Sequence, residues 1–438
     1  MSNPRTRVVV VGGGICGATA ALHLARSGAE VVLVEGGAEI GGLVSSFSVG
    51  GTPLERFYHH VFPHEDSVLA LIDQLGLTPR LGWYPSTVGV LRDGRVWPFT
   101  TPLDLLRFGP LPLVDRLHMG IGALRLQRVR DWAALDAVPA VDWLREYTGD
   151  RAVDVVWGPL LGAKFGPAAR QVPAAWMWGR FQQRAGARRG KGESLGYLRG
   201  GFHQLFVALD AELRRLGATM RLGARVDHLV VDNGVLRGVS CRGDTIEADQ
   251  VVYAGSLPGL SRLLPPELHD PRWTAAEGLG VLCVVLETTR SLGPVYWTNV
   301  CDANLPFGGV IEHTNLVPAD DYGGRHVVYL SRYFTADEPV AAVDPDAEAV
   351  RWVDDLRDVY SPRLDDALLA VHAFRAGYAA PLVTAPYAER IPPLVSHLPG
   401  LHVATTAQIY PQDRGMDEGV RGGAAAARSV LAQAAGAA

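Results

Sequence analysis

The stretch "RVVVVGGGICGATAALHLARSGAEVVLVE", Arg7 to Glu35, decides the fold. A short β-branched run stops at three glycines, Ala-rich helical sequence follows through Arg26, and a second apolar run ends at Glu35. That order reads as strand, glycine turn, helix, strand. Gly12-x-Gly14-x-x-Gly17 sits between the first strand and the helix, and Glu35 closes the second strand 21 residues beyond Gly14. In this register the glycines permit a tight turn and a close approach of backbone N–H groups to a pyrophosphate at the positive end of the helix. Glu35 is placed to accept hydrogen bonds from a ribose diol. A bare GxGxxG is equally a packing turn; strand, helix and acid in register point to an adenine dinucleotide.

The bulk composition narrows the remaining classes. With 438 residues the chain exceeds what one ordinary core supports, so two structural units, or one domain with a large insertion, are expected. Hydrophobic content of 48%, charged content of 20% and a net charge of −5 describe a globular protein without the basic excess that nucleic-acid binding requires. Cys16, Cys241, Cys283 and Cys301 form no CxxC pair, which argues against a zinc site and against a disulfide framework, and fits a reducing cytoplasm. No apolar run reaches the roughly 18 residues of a membrane span, and "RVVVVGGG" reads as a strand rather than a signal peptide. The composition carries no signal of oligomeric state.

Outward from the opening stretch, "DSVLALIDQLG" predicts a short amphipathic helix with Asp66 as its N-cap and Gly76 as its stop. From Leu103 to about Arg184, Leu, Arg and Trp recur at helical spacing, and "GARRGKGES" closes that unit either as an exposed loop or as a basic lid. "GGFHQLFVALDAELRRLG" predicts a helix, and the segment after it predicts short strands with a turn at Asp232-Asn233-Gly234. Alternating strands near 280–335, a helix near 345–370, and a final strand, loop and Ala-rich helix complete the chain. "LVDRLHMGIGALRLQRVR" mixes Leu with Arg at helical spacing; a solvated helix with an apolar core face explains it, and membrane contact is not expected.

FAD and NAD share the fingerprint. "EIGGLVSSF" adds Gly41-Gly42, and here the sequence resembles the superfamily of FAD-containing amine oxidases, protoporphyrinogen oxidases and UDP-galactopyranose mutases. "LRGGFHQLFVALDAEL", "ARVDHLV" and "ADQVVYAGSLP" are similar to further segments of that superfamily, and "QIYPQDRGMDEGVRGGAAAA" to the loop and helix start that cover the flavin. The resemblance implies an α/β fold: a discontinuous Rossmann-type FAD-binding domain with a parallel sheet, and an inserted substrate domain of mixed sheet and helices. The expected division assigns 1–80, 196–265 and 395–438 to the FAD domain. It assigns 81–195 to a helical part and 266–394 to a sheet and helix part of the substrate domain.

The resemblance also implies site residues. Gly12, Gly14, Gly17, Glu35, Gly41 and Gly42 would hold the dinucleotide, Val226 would lie by the adenine, and Met416 with Asp417 would face the flavin's pyrimidine edge. Asp413 or Asp417 would contact ribityl or phosphate, or cap the last helix. No cysteine stands beside Tyr410-Pro411, so FAD is expected to be noncovalent. Lys164, in "WGPLLGAKFG", is either a charged partner for chemistry at flavin N5 or a surface lysine. In "PFGGVIEHTN", strand alternation pairs Glu312 with Thr314 and His313 with Asn315, so one pair is expected to face the flavin. Arg332 and Tyr333 in "YLSRYF" suit a sugar or diphosphate ligand, or form an ordinary sheet pair.

"ERFYHHVFPHED" places His59, His60 and His64, three of the chain's 13 histidines, within six positions. In extended backbone, His59 and His60 point to opposite faces, and no carboxylate or cysteine spacing completes a metal site. "YHHVF" resembles the stretch after the Gly pair in the mutases, which selects His60 to face the flavin and act in acid/base or hydrogen-bonding work, leaving His59 toward substrate or protein. The expected reaction is hydride transfer from a polar small molecule, sugar-like, amine-bearing or anionic, to flavin N5. The alternative is redox-neutral sugar isomerisation by reduced flavin, and a third class is a flavoprotein that only binds a partner.

Overall fold

The computed structural model describes residues 5–186, 188–189, 192–361 and 363–436. Arg7–Val11 is the centre of a five-stranded parallel sheet in the order Thr219–Arg221, Glu30–Val34, Arg7–Val11, Gln250–Tyr253, Leu401–Val403. Both faces of the central strand are covered, which is why its valines run without interruption. Val8 and Val10 pack with Ala20, Leu22 and Leu24 of the helix Ile15–Arg26. Val9 and Val11 pack with Leu229 and Val239 of a three-stranded antiparallel sheet formed by Val226–Asp232, Val235–Cys241 and Asp244–Glu247. Its first turn has Asn233 and Gly234 both at positive φ, as the Asn-Gly pair predicts.

The last helix, Met416–Gly436, returns to lie on Ile15–Arg26. Glycines decide how close the two come. A Cβ at Gly423 would stand 2.2 Å from the carbonyl oxygen of Cys16, and one at Gly419 would stand 2.5 Å from a methyl of Ile15. The two ends of the chain thus form one base, and the start of each helix opens onto the same space.

The second sheet has seven strands in the order Leu368–Pro381, Gly278–Thr288, His326–Phe334, Gly309–Glu312, Trp297–Val300, Val88–Arg92, Arg95–Pro98. Gly278–Thr288 is buried along nearly its whole length. Its alternate residues Cys283 and Val285 join the core of the dinucleotide unit, while Leu282, Val284 and Leu286 meet Trp352, Val353 and Leu356 of the helix Pro345–Tyr360. The sheet is therefore a shared wall between two cores.

Residues 102–186 are mainly helical, but the segment before them is not. Leu81–Pro85, Val88–Arg92 and Arg95–Pro98 are strands, and the last two extend the seven-stranded sheet. The hairpin turns at Asp93-Gly94, both at positive φ, an Asp-Gly turn between two short runs that contain Val90 and Val96 and that were readable in the sequence. Of the Gly and Arg loop, Ala187, Gly190 and Lys191 lie outside the described residues. Asp66 does not cap its own helix. The helix Asp66–Gln74 is capped from across the chain by Asp417, whose Oδ1 accepts from the N–H groups of Ser67 at 2.7 Å and Val68 at 3.0 Å.

Gly423→Ala should lower stability by about 1–3 kcal/mol, because its Cβ meets backbone that cannot step aside. Gly422→Ala, where the nearest atom is the sulfur of Cys16 at 3.5 Å, should be neutral or slightly stabilising in the same helix. Denaturant unfolding of both variants checks the contrast.

Candidate active site

Between the two sheets lies a cavity of about 2160 Å³, larger than the roughly 300–1,000 Å³ of a pocket for one drug-sized ligand. One half is built from the opening motif. Gly12, Gly14, Glu35, Gly41 and Gly42 line it, as do Gly415 and Met416 at the start of the last helix. Gly12 is at φ +103, and a Cβ there would stand 3.0 Å from the carbonyl oxygen of Ala254. Gly14 caps the helix Ile15–Arg26 with no side chain, and a Cβ on it would meet nothing within 4 Å. The free N–H groups of that first turn therefore face open space, the arrangement a pyrophosphate needs. Gly42 lies against Gly14, a Cβ at Gly42 falling 3.2 Å from the Cα of Gly14.

The Glu35 carboxylate is held at the end of its strand by the N–H groups of Gly13 and Gly37, each at 2.6 Å. Gly17 does not line the cavity; its missing Cβ would stand 1.9 Å from the carbonyl oxygen of Gly12, so its role is packing of the turn. The side chain of Val226 also turns away, into the core with Leu229 and Val239, and the neighbouring Arg225 lines the cavity in its place. Asp417 is committed to the Ser67 and Val68 N–H groups and to Arg421 at 3.2 Å, so it is a tertiary cap rather than a cofactor ligand. Oε2 of Glu418, beside Met416, is a polar atom buried without a partner at this end. Burial raises the pKa of Glu65 to about 8 despite the Phe62 N–H, and Glu418 and Asp417 add to the rise.

The other half of the cavity holds charge and imidazole against an aromatic wall. His59 and His60 both line it, as do Phe57 and Tyr58. The expectation of opposite faces fails because these residues belong to no sheet: regular pairing resumes only at Val61, which bridges Gly196. His59 Nδ1 lies 2.6 Å from the carbonyl oxygen of Phe57. A carbonyl only accepts, so Nδ1 carries the proton and Nε2 is left as the acceptor. Burial, then Arg414, lowers the pKa of His59 to about 4. Burial, then His59, Arg180 and Arg184, lowers that of His60 to about 3. His60 is thus a neutral imidazole, not the near-neutral titrating group the sequence suggested. It lies edge-on to Phe62 and 3.5 Å from the Tyr296 hydroxyl.

Lys164 is a wall residue, 2.5 Å from Oδ2 of Asp413, with Arg180 at 3.6 Å from the same oxygen. Burial alone would raise Asp413, but Lys164 and Arg180 outweigh it and hold the carboxylate well below its usual range. Burial lowers Lys164, against the pull of Asp413. Arg414 donates to the Tyr333 hydroxyl at 2.9 Å, and both line the cavity. Arg180 and Arg184, one turn apart on the helix Ala174–Gly186, and Tyr296 were not singled out from sequence. Their i, i+4 spacing was visible; which face met a cavity was not.

Three expected substrate or catalytic residues lie elsewhere. His313 is 3% exposed in the core, its Nε2 2.7 Å from the Tyr322 hydroxyl and its ring edge-on to Tyr197. Asn315 donates to the carbonyls of Gly293 and Val295, and Glu312 accepts from Ser291 and the Leu292 N–H. Neither pair faces the cavity, because the chain leaves the strand at Glu312 and winds into a short helical turn, His313–Asn315, where alternation no longer applies. Arg332 pairs with Glu338 at 2.8 Å on the face of its strand opposite Ser331 and Tyr333. Period-two alternation forbids Arg332 and Tyr333 from sharing a face. Among the described residues, no three His, Cys, Asp or Glu side chains gather to hold a metal ion.

The sequence profile described as "Flavin containing amine oxidoreductase" matches residues 15–431. The chain belongs to that family. Its cofactor is FAD, held noncovalently, and the glycine cradle and bare helix start fit that group. The chain is 27% identical over 348 residues to coproporphyrinogen III oxidase of Propionibacterium freudenreichii subsp. freudenreichii, covering 65% of this chain and 63% of that one. The chain spans less than two thirds of the length of the first curated relatives it matches. The fold is shared with a protein from Exiguobacterium sp. 255-15, provisionally named protoporphyrinogen oxidase, at TM-score 0.78 and 19% identity over 98% of this chain and 99% of that one. It is shared as well with reduced UDP-galactopyranose mutase at TM-score 0.74 and 15% identity, covering 98% and 96%.

The perturbed groups set the pH response. His59, His60 and His313 are neutral when folded and charge near 6.5 when unfolded, so the unfolded chain binds more protons and stability falls as pH drops below about 6.5. Glu65 and Glu312, raised to about 8 and about 7, stay protonated when folded, so stability falls as pH rises from the unfolded value near 4.3 through those values. Unfolding midpoints should peak near about pH 6, with His60→Gln flattening the acid side and Glu65→Gln the alkaline side. Two parallel pH series of thermal unfolding check this.

Proposed function

We propose that the chain is an FAD-dependent oxidoreductase that takes a hydride from a small molecule with an apolar body and an anionic or otherwise polar group. The observation that carries the reading is the unequal charge in the substrate half of the cavity. Lys164, Arg180, Arg184 and Arg414 face Asp413 and Glu193, four cations to two carboxylates, and Nε of Arg414 is buried without a partner. A guanidinium in that state is a receptor for a carboxylate or phosphate oxygen. Trp157, Trp176 and Phe181 give the apolar body a dry surface to lie on.

Bound FAD supplies a two-electron acceptor at N5. The protein's part is to orient the substrate and to receive its proton. Arg414, with Arg180 and Arg184 behind it, fixes the anionic end. Nε2 of His59 is an uncharged acceptor, and neutral His60 beside Tyr296 offers a second; the imidazole that takes the substrate's proton becomes a cation among arginines that disfavour it, so it passes that proton on to solvent. The four free cysteines, three of them buried, support a reducing cytoplasm as the setting, and the net charge of −5 supports a small molecule rather than nucleic acid as the ligand.

The mutase reading keeps one supporting observation, the presence of His60 in the cavity. The two readings separate on the redox state that supports turnover. Anaerobic mixing of oxidised holoenzyme with carboxylated small molecules and their methyl esters should bleach the flavin, and the free acids should do so faster. Turnover only after dithionite reduction, with no net electron consumption, would overturn the oxidoreductase reading. Arg414→Met should raise KM for the free acid about tenfold or more with FAD absorbance retained, the scale of one lost charge-assisted hydrogen bond. His60→Ala should lose far more activity than FAD content, whereas His64→Ala should be mild.

A further inference from the structure

Seven of the twelve exposed large hydrophobic side chains among the described residues fall on two adjacent short helices, Pro102–Arg107 and Leu113–Leu126. In the longer helix Leu113, Leu117, Ile121 and Leu124 follow the i, i+4, i+8, i+11 spacing of one face, Val114 lies at its edge, and all five are 49–76% exposed. Met119, Gly122 and Leu126 occupy the opposite face and are buried. This helix is apolar on both sides. A helix that only covered a core would carry polar residues outward, so the Leu and Arg pattern is not explained by a solvated helix with one apolar face. Leu103 and Leu106 of the shorter helix extend the outer patch.

Two further observations identify what covers it. Arg107, Arg125, Arg128 and Arg130 are exposed around the patch, and none has an ion pair among the described residues. The two acids in the same stretch are engaged, Asp104 in capping Thr101 and Asp115 with Arg151 at 3.5 Å. A two-fold contact between copies of this chain would set that arginine cluster against itself, a like-charge contact. An anionic lipid headgroup layer complements it instead, with the leucines entering the acyl boundary. The patch also adjoins the cavity: Thr101 and Pro102 at the start of the first helix, and Ala123 of the second helix with Gln127 just after its end, line it.

We propose that the helices Pro102–Arg107 and Leu113–Leu126 dock this protein on an anionic membrane surface, so that the cavity wall at Pro102, Ala123 and Gln127 lies against the lipid. No helix of the described residues is long and apolar enough to cross a membrane, so the contact is interfacial and reversible.

The test is flotation of the FAD-loaded full chain with vesicles of phosphatidylcholine alone and with about a third phosphatidylglycerol. Protein should float with the anionic vesicles, less with neutral ones, and less as salt rises. Leu117→Ser with Ile121→Ser should weaken flotation about tenfold with flavin absorbance and thermal midpoint unchanged, since both side chains are exposed. Arg125→Glu with Arg128→Glu should abolish the preference for anionic lipid. Wild-type protein that stays unfloated with both vesicles overturns the proposal. So does flotation indifferent to both variant pairs, or a dimer that Leu117→Ser with Ile121→Ser dissolves while vesicles bind nothing. Because the readout is partition and not turnover, it stands or falls apart from the reaction proposed for the cavity.

Discussion

The crossing of the first and last helices is the contact on which the site depends. Gly419 and Gly423 let the Met416–Gly436 helix settle against backbone of Ile15–Arg26, where a Cβ at Gly423 would overlap the Cys16 carbonyl. That approach brings two helix starts, one at Gly14 and one at Met416, to the same cavity. Asp417, one residue into the last helix, then reaches the N–H groups of Ser67 and Val68 and so places a third helix start beside them. The segment from Phe57 to His60 runs into this arrangement with its exit secured by the Asp66–Gln74 helix. A change in the crossing would move the glycine cradle, the Met416 helix start and the histidine segment together.

The cavity built on that base has two electrostatic characters. At the cradle, backbone N–H groups and glycine space provide for a dinucleotide. At the other end, cations outnumber carboxylates, and they act on their surroundings: they hold Asp413 ionised and help keep His59 and His60 neutral. Two imidazoles in a cationic pocket are worth more as uncharged acceptors than as acids. The seven-stranded sheet separates this chemistry from the Pro345–Tyr360 helix, and its alternation explains why Tyr333 belongs to the cavity and Arg332 does not.

Much of the cradle was legible because each of its residues answers to a local rule. Gly12, Gly14, Glu35 and the Gly41-Gly42 pair sit where turn geometry and strand ends put them, whatever the rest of the chain does. Val226 and Gly17 show the limit of that rule: one turned inward and the other serves the turn itself. The misplaced residues, His313, Asn315, Arg332 and Asp417, were misread for separate reasons. For Asn315 and His313 an alternating pattern was carried past the end of its strand. For Arg332 the alternation was read but not applied to its neighbour. For Asp417 the partner lies 350 residues away in sequence, and no local pattern marks it.

By itself, the sequence determined the parallel dinucleotide fold, the cofactor class, the glycine cradle and the absence of a metal-ligand spacing, because these rest on period, turn residues and short-range order. Only the tertiary structure decided which histidines meet the cavity, that both do, that their protons are held off by burial and by arginines from other elements, and that the Leu113–Leu126 helix is apolar on its outer face as well as its inner one. Protonation and exposure are set by everything that surrounds a side chain. Those surroundings are assembled from segments hundreds of residues apart.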